Sequence, residues 1–186
     1  LEAVCRGEKE LVDHGCILNL KDIPWARHQL WDNDVQEKDG KYFMYFPAKD
    51  KTEIFRTGIA VAEKPEGPFV PLKDPMHGSY SIDYAVFKDE DGKYYFYFGG
   101  IWGGQLQWYK DNKISFNESG VAAPPPGDRD PIVPAKKPET DALPSRVARL
   151  ADDMLGFAED PKPVIILGED GKPLKADDPH RFFETT

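Results

Sequence analysis

Trp31-Asp32-Asn33-Asp34-Val35, followed by Lys38-Asp39-Gly40-Lys41-Tyr42-Phe43-Met44-Tyr45-Phe46, returns later in the chain as Ile82-Asp83-Tyr84-Ala85-Val86, followed by Asp91-Gly92-Lys93-Tyr94-Tyr95-Phe96-Tyr97-Phe98. Each copy runs from a short apolar strand through an Asp-Gly turn into an aromatic-rich strand, the strongest short-range signal for a β-hairpin. After the first hairpin, residues 55–62 read as a third strand, and Gly67-Pro68-Phe69-Val70-Pro71-Leu72 as a turn into a short edge strand, where proline is tolerated. That makes four strands. The second copy is expected to finish with strands at 146–150 and 164–167. Residues 1–4 and 16–20 read as strands closing a preceding unit.

Repeated four-stranded antiparallel units of about 40–50 residues are the signature of propeller blades. The expected fold class is therefore all-β, a β-propeller, with a two-sheet sandwich built from the same hairpins as the alternative. The expected organisation is one partial propeller domain over 1–186. Residues 1–24 end a first blade, 25–75 form a second and 76–168 a third with a long insert at about 100–144, while 169–186 begin a fourth. The insert carries Gly99-Gly100-Ile101-Trp102-Gly103-Gly104 and then a run rich in proline. It is too long and too proline-rich for a strand. Trp102 and Trp108 in it either flank a sugar or pin the loop to its blade.

Composition narrows the partners. With 40% hydrophobic residues a packed core is expected, and 24 Lys plus Arg against 33 Asp plus Glu give a net charge of −9. Nucleic acid is not expected as a partner, because phosphate binding needs a concentrated positive surface, and anionic membranes are disfavoured for the same reason. No apolar run approaches the roughly 20 residues needed to cross a bilayer. Cys5 and Cys16 are read as small core residues. His14, His28, His77 and His180 lack ligand spacing, so neither a metal nor another cofactor is expected.

Aligning the repeats on Val35 and Val86 sets Asp32 opposite Asp83, and Phe182-Phe183-Glu184-Thr185 offers a third copy with Glu184 in the acidic place. If each begins the innermost strand of a blade, the carboxylates converge on the propeller axis. Like charges held together raise one another's pKa, which serves glycoside hydrolysis. There, one carboxylic acid protonates the leaving oxygen while a second carboxylate acts on water or carbon.

At these residues the sequence resembles glycoside hydrolase family 43, five-bladed propellers that cleave β-xylosides, α-arabinofuranosides or arabinans with inversion. The resemblance is carried by Trp31 with Gly40-Lys41-Tyr42, by Ala60-Val61-Ala62 to Gly67-Pro68-Phe69, by Ile82-Asp83 through Asp91-Gly92-Lys93-Tyr94-Tyr95, and by Arg181-Phe182-Phe183-Glu184. It implies Glu184 as general acid and Asp83 as the carboxylate that adjusts that acid's pKa and orientation. The family's general base is expected to lie before Leu1, so the fragment alone is expected to be inactive. Asp32 occupies a place that is commonly Ala in the family and is not assigned to that role.

Trp31 stacks on the sugar or packs the blade, and Trp102 and His180 are further candidates for binding it. A cation on the propeller axis is compatible with the family, although nothing in the sequence identifies its ligands. The implied partner is a carbohydrate derived from xylan or arabinan. A non-catalytic carbohydrate-binding or interaction propeller is the alternative. Exposed sheet edges are expected to make the chain prone to self-association.

Overall fold

A computed structural model of the chain describes residues 13–114 and 141–181. The first hairpin pairs β1 (Asp34–Lys38) with β2 (Lys41–Lys49), and β3 (Phe55–Ala62) and β4 (Val70–Pro71) complete a four-stranded antiparallel sheet in the order β1-β2-β3-β4. The second hairpin pairs β5 (Ala85–Lys88) with β6 (Tyr94–Phe98). After a small ladder of β7 (Tyr109–Lys110) and β8 (Lys113–Ile114), the chain returns as β9 (Ser145–Arg149) and β10 (Lys162–Val164). The second sheet runs in the order β10-β9-β6-β5.

Register bears out the repeat. Val35 lies opposite Met44 and Val86 opposite Phe96, so the two hairpins superpose strand for strand. Their turns differ by one residue. Asp39 (φ 52°) and Gly40 (φ 76°) form a two-residue loop with both central residues left-handed, the type I′ pattern that matches strand twist. In the second hairpin Asp89 O accepts from Gly92 N at 2.9 Å, and Asp89 N donates to Lys93 O at 2.9 Å. This makes a three-residue loop in which only Gly92 (φ 78°) is left-handed.

The two sheets meet along their first strands, as adjacent blades do at a propeller axis. Asp34 Oδ2 accepts from Val86 N at 2.6 Å, and Gln36 Nε2 donates to Val86 O at 2.9 Å. Two side chains of β1 thus satisfy a backbone donor and acceptor that β5 offers at its free edge. Tyr94 Oη donates to Glu37 O at 2.9 Å, and the buried Tyr45 Oη to Met154 O at 2.9 Å.

Between the sheets lies an aromatic core of Phe43, Tyr45, Tyr84, Phe96 and Phe98, extended by Leu106, Trp108 and Met154. The opposite face of the first sheet is covered by a second cluster, in which Met44, Phe46, Ala60 and Phe69 pack with Ile23 and with the half-buried Ile17, Leu20 and Trp25. Hence β2 is buried on both faces over most of its length. β6 alternates between buried and half-buried residues, with one face turned away from the core. That outer face leaves Phe87 56% exposed.

Several expectations are corrected. Residues 16–20 form no strand. They run irregularly into a one-turn 3-10 helix at Leu20–Asp22, capped by Asn19 Oδ1 accepting from Lys21 N at 3.1 Å, and cover the first sheet with side chains instead of extending it. Cys16 is exposed, not core; Cys5 and residues 1–4 lie outside the described residues. The last strand ends at Val164. Ile165, Ile166 and Leu167 are exposed in a tight reversal closed by Gly168 N to Lys172 O at 2.8 Å and Leu174 N to Ile166 O at 3.1 Å. The described start of the insert is no loose loop. It forms 3-10 turns at Trp102–Gly104 and Leu106–Trp108, and the second of these is buried.

Candidate active site

β1 and β5 both begin at one end of the sheets, the end where β2 turns into β3 and where β6 runs into the glycine-rich insert. Asp83 stands there just ahead of β5, half-buried, with a left-handed backbone (φ 58°), and Ser81 shares that conformation (φ 65°). Aspartate tolerates the left-handed region better than most residues because its short polar side chain can bond locally.

The kink is held from three sides. Tyr84 Oη donates to Ser81 O at 2.8 Å, Gly99 N donates to Ile82 O at 2.9 Å, and Ser81 Oγ donates to Gly100 O at 3.0 Å. Burial, the largest influence on Tyr84, pushes its phenol far above the usual tyrosine range, so it stays protonated and can donate this bond.

The glycines of the insert now have a reason. A Cβ on Gly100 would lie 2.5 Å from Asp83 Oδ2 and 2.5 Å from Ile82 Cγ1, and one on Gly104 would lie 2.6 Å from Ile82 Cγ1. The Gly99–Gly104 segment is a bed pressed against Ile82 and Asp83, and it admits no side chain at these two points. Gly100→Ala is expected to destabilise the chain by about 1–3 kcal/mol, as overpacking does. It should also displace the Asp83 carboxylate, which a crystal structure of the variant would reveal as a rotated Asp83 side chain. An unmoved Asp83 with unchanged stability would refute the close packing.

Gln105, left-handed (φ 66°) and 1% exposed, ties this bed to the first sheet. Its Oε1 accepts from Phe55 N at 2.9 Å and its Nε2 donates to Glu53 O at 2.9 Å, so one amide side chain pairs with the backbone across the blade boundary. Above Phe55 lies Trp31, with ring centroids 4.8 Å apart and planes tilted by 46°; Trp31 is 39% exposed.

The connecting loop between β2 and β3 is built on charge. Glu53 pairs with Arg27 and with His28 Nε2, the latter at 2.7 Å. Asp50 accepts from Thr52 Oγ1 at 2.6 Å and from Arg56 Nε at 3.0 Å. Burial raises the Asp50 carboxyl, and the bonds from Thr52, Arg56 and Ile54 outweigh it, leaving the group below the usual aspartate range.

Asp83 and Trp31 therefore stand at the same end of the fold, linked through Gly100, Gln105 and Phe55. Asp32 is exposed. Trp108 is 1% exposed and belongs to the core, so its reading as a sugar-flanking residue is withdrawn. Trp102 opens a 3-10 turn between the two glycine pairs; its side chain is not described. The imidazole of His180 is 89% exposed and lies 3.5 Å from Asp178 Oδ1. Glu184 falls outside the described residues. Among the described residues no group of three His, Cys, Asp or Glu side chains could hold a metal ion. Gly100 and Gln105 were missed in the sequence; the paired glycines were the available signal, read as loop composition instead of as a packing surface.

Known proteins match this chain along most of its length. The family model described as "Glycosyl hydrolases family 43" matches residues 11–123. The chain is 57% identical over 179 residues to a "Beta-xylosidase" of Xylanibacter ruminicola, covering 96% of this chain and 51% of that protein. Among solved structures, RS223-Beta-xylosidase matches with TM-score 0.83 and 47% identity over 96% of this chain and 51% of its own. CoXyl43, a β-xylosidase/α-arabinofuranosidase from a compost microbial metagenome solved with xylotriose, matches with TM-score 0.81 and 49% identity over 93% and 49%. The chain spans about half the length of the relatives it matches.

Proposed function

From the premise that the chain belongs to glycosyl hydrolase family 43, we propose that the protein hydrolyses O-glycosidic bonds of xylose- or arabinose-containing oligosaccharides by single displacement with inversion. The observation that carries this is the 57% identity to a β-xylosidase along 96% of the chain. Glu184 is assigned as the general acid that protonates the leaving oxygen. Asp83 is assigned as the carboxylate whose negative charge disfavours ionisation of Glu184 and keeps it protonated. A carboxylate on the opposite face of the sugar deprotonates the attacking water, with the two carboxyls about 6.5–9.5 Å apart to admit it. No residue of this chain is assigned to that base.

The left-handed turn at Asp83, wedged against Gly100, supports the assignment, since an orienting carboxylate must itself be held still. Trp31 is assigned as the stacking platform for a sugar ring, its exposed indole backed by Phe55. His180 and Trp102 are retained as candidate contacts to the sugar. The half-exposed outer face of the second sheet, with Phe87 exposed on its edge strand β5, supports self-association of the chain as isolated.

The test is the complete encoded protein with 4-nitrophenyl β-xyloside and 4-nitrophenyl α-arabinofuranoside. Release of nitrophenol from at least one is expected; release from neither refutes a glycosidase of this class.

A further inference from the structure

We propose that Lys49 is a sugar-binding residue whose ammonium donates a hydrogen bond to a hydroxyl of the sugar that stacks on Trp31. This rests on the reading of that end of the fold as a carbohydrate site.

Lys49 is the last residue of β2 and is 3% exposed, an unusual degree of burial for a lysine. Its position is fixed on both sides. It pairs with Phe55 across the β2–β3 ladder, and on the other edge its N donates to His28 O at 3.0 Å while its O accepts from Arg27 N at 2.8 Å. Residues alternate between the faces of a strand, so Lys49 shares the face of Phe43 and Tyr45, the face toward the second sheet. The ammonium lies 5.1 Å from the centre of the Phe55 ring, the ring that backs Trp31.

The neighbouring carboxylates are committed elsewhere. Asp50 is held by Thr52 and Arg56, and Glu53 by Arg27 and His28. Among the described residues no carboxylate or carbonyl accepts a hydrogen bond from the Lys49 ammonium; the Phe55 ring is its one partner. Arg27 and Arg56 thus take up the two carboxylates beside Lys49, and its ammonium pairs with neither of them.

The Lys49 stem is buried while its ammonium lies over the Phe55 ring, an amphipathic placement that brings the charge to the edge of the Trp31 platform. A methionine or leucine would fill the same space without placing a donor there. The arrangement becomes intelligible if the missing acceptor arrives with a ligand. A pentose offers an apolar C–H face for an indole and hydroxyls at its rim, and Trp31 with Lys49 supplies one group for each.

The test is titration of xylobiose, and of methyl β-xyloside with its monodeoxy analogues, into the complete encoded protein carrying Glu184→Gln to suppress turnover, with Lys49 and Trp31 unsubstituted and then with Lys49→Met, Lys49→Arg or Trp31→Ala. Lys49→Met keeps the stem and removes the donor. It is expected to weaken xylobiose binding about tenfold or more, the scale of a hydrogen bond to a charged group, without lowering the melting temperature. Lys49→Arg should restore most of the binding. One deoxy analogue should bind the protein with Lys49 unsubstituted about tenfold more weakly than its parent, yet bind Lys49→Met as the parent does. That pairing would not arise from a structural role. Should Lys49→Met fail to fold, Lys49→Gln is read in its place by the same analogues. Binding that Trp31→Ala weakens but Lys49→Met leaves within twofold overturns the assignment of Lys49 alone. No measurable binding of any sugar by the protein with Lys49 and Trp31 unsubstituted overturns this assignment and the carbohydrate site together.

Discussion

Glu184→Gln, in the complete encoded protein, is expected to slow hydrolysis of xylobiose by about 10²–10⁴-fold, the usual contribution of a positioned general acid. Hydrolysis of 4-nitrophenyl β-xyloside should slow far less. The reason is the basicity of the leaving oxygen. A sugar alkoxide is a poor leaving group and must be protonated as the bond breaks, whereas nitrophenolate departs readily as an anion. Glutamine preserves the shape of the side chain and removes its transferable proton, so the two substrates separate loss of the proton from loss of the fold. The check is kcat/KM for both substrates. Equal losses on both would indicate a damaged site, and no loss on xylobiose would remove Glu184 from the role of acid.

The second large effect concerns stability. Phe96 is fully buried at the centre of the core between the sheets, with ring centroids 5.0 Å from Tyr84, 5.2 Å from Tyr45, 5.7 Å from Phe157 and 5.8 Å from Phe98. Its neighbours come from both sheets and from the segment after β9, so no single element can relax to fill the space. Phe96→Ala is expected to cost about 3–5 kcal/mol, the upper range for truncating a buried aromatic. At this chain length that corresponds to a fall of roughly 6–20 °C in Tm, at about 2–4 °C per kcal/mol. Thermal unfolding followed by near-ultraviolet circular dichroism reads it directly, because the aromatic cluster is itself the chromophore. A change under 1 kcal/mol would mean that the two sheets do not share this core.

These two residues differ in how legible they were. Phe96 sits in a strand whose alternation and Asp-Gly turn were plain, and its register opposite Val86 follows from the repeat. The strand at Phe55–Ala62 and the proline-bearing edge at Val70–Pro71 were likewise readable, because local pattern decides them. Residues 16–20 were misread because an apolar run that covers a sheet face and one that joins the sheet look alike until the hydrogen bonds are known.

Of the candidate acids, Glu184 lies outside the described residues, and the surroundings of Asp83 were opaque in the sequence. Asp83 stood out by its place in the repeat. Its left-handed backbone, and the contact that forbids a side chain at Gly100, depend on an insert folding back from beyond β6. Gln105 acts through the amide edge of a neighbouring sheet, and Lys49 acquires its meaning from Phe55 across the ladder and from carboxylates already engaged. Such pairings join residues through tertiary contact, and no periodicity announces them.

The most direct test of the account is the anomer released first from a β-xyloside, followed by proton NMR during early turnover of the complete encoded protein. Single displacement predicts that α-xylose appears first and only later mutarotates toward equilibrium. β-Xylose appearing first would contradict the account, since it would require a covalent intermediate and a second carboxylate acting as nucleophile in place of an activated water.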